Sequence, residues 1–71
     1  VSPFEESLVA LIERRVDASL DAFARHAREQ DEGKRSQLLG DAQMHVATAR
    51  DHVRALVKLH AMHQEMEEAR G

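Results

Sequence analysis

Twelve residues near the C-terminal end, KLHAMHQEMEEA (58–69), hold the strongest metal-ligand character in this sequence. His60 and His63 are three apart and Glu67 follows four later, so on a helix all three project from one face. Two imidazoles and a carboxylate suit zinc or iron. Helical carboxylate–histidine metal proteins, however, draw Glu-x-x-His pairs from several helices, and this chain has no second such cluster. A second reading is a pH-sensitive contact, because an imidazole that charges inside an apolar seam weakens it. The preferred reading is structural: His60 and His63 sit half-buried at the end of a helix–helix seam, with ring faces against leucine and methionine. No metal and no cofactor are expected.

The rest of the chain offers little chemistry. Cysteine is absent, which excludes disulfides and thiol catalysis. Serine occurs at Ser2, Ser7, Ser19 and Ser36, none beside a histidine in a useful register. Two helices enclose no pocket with convergent polar groups, so no enzyme is expected. Net charge is −3 with the signs mixed along the chain, and only 3% of residues are aromatic. A nucleic-acid partner is therefore not expected, for lack of a basic stripe and stacking platforms. No apolar run approaches the roughly eighteen residues of a membrane span, and Glu5 and Glu6 interrupt any signal-peptide pattern. A cytoplasmic protein without membrane partners is expected.

Two helices must position these residues. SPFE (2–5) is a helix start: Ser2 can cap, Pro3 suits the first helical position, and Glu5 completes a capping box. Val9, Ile12, Val16, Leu20, Phe23 and Ala27 then recur at spacings of three and four. In QDEGKRSQ (30–37), Gly33 can adopt the left-handed conformation that ends a helix, and Ser36 can cap the next one. Leu39, Ala42, Val46, Ala49, Val53 and Leu56 continue with coiled-coil spacing. The expectation is one all-α domain over 1–71, an antiparallel hairpin with helix 1 near 3–31, a turn at 32–35 and helix 2 near 36–69. A turn centred on Gly33 sets Phe4 near His63, Leu8 near Leu59 and Ile12 near Leu56.

A second apolar stripe begins at Leu59, Met62, Met66 and Ala69, and another at Phe4, Leu8 and Leu11 on the first helix. In an antiparallel hairpin both lie at the end away from the turn, over a wider arc than one neighbouring helix covers. Phe4, Leu8, Leu11, Leu59, Met62 and Met66 are therefore the expected partner-binding residues. The occupant is either a different protein or a second copy forming a four-helix-bundle dimer. His45 and His52 are placed on the flank of the seam, in solvent. His26 lies near the end of helix 1, where a cation is mildly favourable.

The opening VSPFEESL resembles the start of the small co-chaperones of type III secretion needle subunits, with Phe4, Glu5, Glu6 and Leu8 at the matching places. SQLLGDAQMHVATARDHVRAL (36–56) is similar to their second helix in Gln37, Leu38, Leu39 and the small-residue seam through Val46 and Ala49. The sequence departs from them in lacking a tyrosine near Gln37 and in its longer, histidine-rich tail. The resemblance implies a non-enzymatic cytoplasmic adaptor that docks on a helical-repeat chaperone and helps to keep a needle subunit unpolymerised.

Overall fold

The computed structural model describes residues 2–70, and all of them except Ser2 and residues 29–31 are helical. Helix α1 spans Pro3–Arg28 and helix α2 spans Glu32–Arg70. They pack antiparallel as a rod of 60 × 15 × 12 Å. The fold is the all-α helical hairpin anticipated from the 3–4 apolar spacing.

The start of α1 follows from three residues. Ser2 is extended and its Oγ accepts the backbone N–H of Glu5 at 3.2 Å, while Pro3 enters the first turn with no N–H to leave unpaired. Glu5 and Glu6 place negative charge at the positive end of the helix dipole. The reciprocal half of the capping box does not form, because the Glu5 carboxylate turns to the other helix instead.

The turn is closed by two carboxylates rather than by glycine. Glu29 leaves helical geometry at φ −79°, ψ 133°, and its backbone N–H donates to the Arg25 carbonyl at 2.9 Å. Its Oε1 accepts the N–H groups of Gln30 and Asp31, each at 3.1 Å. Asp31 Oδ2 then accepts the Lys34 N–H at 2.9 Å and starts α2. With its terminal donors satisfied this way, the connection needs no left-handed residue. Gly33 has no positive φ and lies in the first turn of α2, and Ser36 lies farther inside the helix. The turn is thus residues 29–31, not 32–35, and α1 ends at Arg28. At 39 residues against 26, α2 outruns α1 by thirteen residues, about 20 Å.

The seam between the helices also differs from the expected stripe. The least exposed positions on α1 include Glu5, Leu8, Ile12, Ser19, Ala22 and His26. Those on α2 include Leu38, Ala42, His45, Ala49, His52, Leu56, Leu59 and His63. Both sets alternate steps of three and four, counting Arg15 as the missing member on α1. Midway along the rod the seam residues are small. Ala42 is fully buried, and Ser19 Oγ donates to the Ala42 carbonyl oxygen at 3.2 Å. A serine side chain reaches a neighbouring backbone only where the helix axes approach closely, which alanine and serine permit. Leu8 is the one large apolar side chain that is buried among the described residues. Val9, Val16, Leu20, Phe23, Val46 and Val53, expected in the seam, stand outside it.

Two substitutions separated by one residue should have opposite signs. Nothing lies within 4 Å of a Cβ added at the exposed helical Gly40, so Gly40→Ala should raise stability by about 1 kcal/mol. Ala42→Leu should force the helices apart and lower it by about 1–3 kcal/mol. Urea unfolding followed by circular dichroism reads both.

Candidate interaction surface

The position after each seam residue builds one face of the hairpin. On α1 these residues are Glu6, Val9, Glu13, Val16, Leu20 and Phe23; on α2 they are Leu39, Gln43, Val46, Arg50, Val53, Val57 and His60. Side chains from the two helices meet along this face. Val16, Leu20, Phe23 and Val46 wall a groove floored by Ser19 and Ala49, and Val9, Leu56, Val57 and His60 line a second groove nearer the open end. Both grooves are almost wholly apolar apart from Glu5 and His60. Charge enters at the edges, with Glu6 and Glu13 exposed on α1 and Arg50 exposed on α2.

The six residues expected to bind a partner divide into two groups. Leu8 is buried in the seam, and Leu59 is half-buried there. Phe4 and Leu11 each precede a seam residue, as Met62 does, and so flank the seam on the side opposite Val9 and Val16. They are exposed, and Met66 is exposed on the last turns of α2, which run past the start of α1. The open end does carry bare apolar side chains, but the larger surface runs along the opposite face of the rod. The spacing had registered its residues and assigned them to the wrong contact.

Four of the five histidines belong to the seam. His63 Nδ1 is in contact with Oε1 of Glu5, a buried carboxylate oxygen with no other partner among the described residues. The carboxylate accepts, so the ring nitrogen facing it carries a hydrogen. His45 Nδ1 lies 3.1 Å from Nη1 of Arg15. Guanidinium only donates, so this nitrogen is the unprotonated one. His52 Nδ1 is buried without a partner among the described residues, and His26 is half-buried at the turn end. His45 and His52, placed in solvent by the sequence reading, sit in the seam because the seam passes through Ala42 and Ala49 without passing through Val46 and Val53. His60, placed in the seam, is exposed on the apolar face. Glu5 was seen only as a cap residue. Its distance of three from Leu8 and seven from Ile12 was the available signal that it joins the seam.

His60, His63 and Glu67 line one shallow groove with Ser2 and Glu5, yet no three of the described histidine and carboxylate side chains converge as a metal site. A further cleft near the turn mixes Arg25, Arg28 and Lys34 with Glu29 and Asp41. Among the described residues no helix is long and apolar enough to cross a membrane. No family model, curated protein or solved structure matches the chain.

The contact of the buried Glu5 carboxylate with the half-exposed His63 ring makes a sharp stability prediction. His63→Ala should cost about 1–3 kcal/mol by stranding the carboxylate, whereas Glu5→Leu with His63→Leu should match or exceed the parent. Thermal melts of the single and double variants give the comparison.

Proposed function

We propose that the chain is a non-enzymatic protein–protein interaction module, an adaptor that acts by completing a helical bundle. The observation that carries this reading is the disproportion between what the hairpin buries and what it leaves open. Leu8 is buried, while Val9, Val16, Leu20, Phe23, Val46, Val53 and Val57 stand 39–62% exposed along a single face. Their exposed side-chain area is on the order of 500 Å², towards the upper end of what a self-sufficient monomer carries. A helix whose apolar arc takes in the seam and the position beside it is patterned to touch two neighbours. Each helix of the hairpin touches one.

A second reading, the co-chaperone role implied by the resemblance to needle-subunit co-chaperones, draws support from the projecting end of α2. Met66 is more than half exposed there, as is Met62 just before it beside the Glu5–His63 contact, and flexible thioethers suit an adaptable docking surface. In this reading Phe4, Leu11, Met62 and Met66 engage a helical-repeat chaperone.

Immobilised parent chain, a Leu20→Asp/Val57→Asp variant and a Met62→Asp/Met66→Asp variant, each exposed to extract of the source cells, separate the two. A protein retained by the parent and lost with the first variant belongs to the broad face. One lost only with the second belongs to the projecting end. Equal recovery on all three overturns both readings.

A further inference from the structure

We infer that the broad apolar face is covered by a second copy of this chain, docked face to face about a twofold axis parallel to the helices. The inference rests on the interaction-module reading and names the partner of its main surface. Three observations point to this occupant.

The first is the division of labour between small and large side chains. The seam inside the hairpin is narrow, built on Ser19, Ala22, Ala42 and Ala49. Large side chains, among them Val16, Leu20, Phe23 and Val46, are held on the adjoining face. Two such hairpins stacked on that face give four helices, each with two neighbours, and enclose the large residues as a central core. A four-helix bundle needs two hairpins of this kind, and one chain supplies both.

The second is charge. The α1 edge of the face carries Glu6 and Glu13, and the α2 edge carries Arg50. A twofold axis along the rod lays α1 of one copy on α2 of the other, with both turns at the same end. Counting 1.5 Å per residue outward from the turn puts Glu13 and Arg50 both about 25–30 Å away, so they meet level across the interface. Symmetry makes two such pairs. The competing face-to-face arrangement, with the axis across the rod, lays α1 on α1 and sets the acidic edge against itself.

The third is area. The exposed apolar side chains alone provide on the order of 500 Å² per copy, and the flanking polar rows bring this near the ~800 Å² per partner of a stable interface. The same arrangement gathers both projecting α2 ends, with their methionines, at one end of the dimer.

Sedimentation equilibrium on the parent chain, Glu13→Arg, Arg50→Glu and the doubly exchanged chain tests the inference. All three changes are at exposed positions outside the seam. The parent should sediment at twice the chain mass. Each single reversal creates two like-charge pairs in the symmetric dimer and should weaken it about tenfold, and the double exchange should restore it to within about threefold. A parent that stays monomeric at ~100 μM overturns the inference. If that monomer still retains a protein from extract through Leu20 and Val57, the interaction module stands and only the second copy is lost. A dimer indifferent to both reversals but broken by Phe4→Asp/Met62→Asp also overturns it, by placing the contact on the opposite side.

Discussion

Everything in this molecule follows from how closely its two helices approach midway along the rod. Ser19 and Ala42 are small enough for a hydroxyl to reach the backbone of the neighbouring helix, and Ala22 and Ala49 continue that narrow contact. A close approach leaves no volume between the helices for large side chains. Valine, leucine and phenylalanine are therefore displaced to the next position along each helix, where they form a face instead of a core. The surface available for assembly is in this sense a product of the seam.

The polar members of the seam have a different consequence. Glu5 against His63 and Arg15 against His45 join the Ser19–Ala42 hydrogen bond in tying the two helices in register. A slip of one heptad that brought Leu56 opposite the buried Glu5 carboxylate would leave it without a partner, which costs far more than exchanging one small-residue layer for another. The small-residue middle of the seam, Ser19, Ala22, Ala42 and Ala49, distinguishes poorly between neighbouring registers. The contacts of the buried Glu5 with His63 and of Arg15 with His45 supply that discrimination, at the cost of the stability a leucine seam would have given.

Side-chain direction explains where those contacts fall. In a helix the Cα–Cβ bond leans towards the N-terminus. On α1 that is towards the open end, and on α2 it is towards the turn. Glu5 and His63 therefore lean towards each other and meet, although α2 runs well beyond α1 along the axis. The same geometry leaves the last turns of α2, with Met66, projecting past the shorter helix.

The sequence by itself determined the all-α hairpin, because its 3–4 apolar spacing and its Ser2-Pro3 start are local signals that act before any tertiary contact. It also determined that apolar surface would remain uncovered, since the apolar arc is too wide for one neighbour. It named Phe4, Leu11, Met62 and Met66 as bare and did not separate them from Leu8, which is buried. What only the tertiary structure decided is which side of that arc became the seam. On α2, Ala42, Ala49 and Leu56 belong equally to the stripe through Val46 and Val53 and to the stripe through His45 and His52. Hydropathy favours the first, while close backbone packing favours the second, because a seam through alanine and serine brings the axes nearer than valine allows. The turn was decided the same way: Gly33 and Ser36 were adequate signals, but Glu29 and Asp31 satisfied the terminal N–H groups sooner along the chain, and that early closure shortened α1 and lengthened α2.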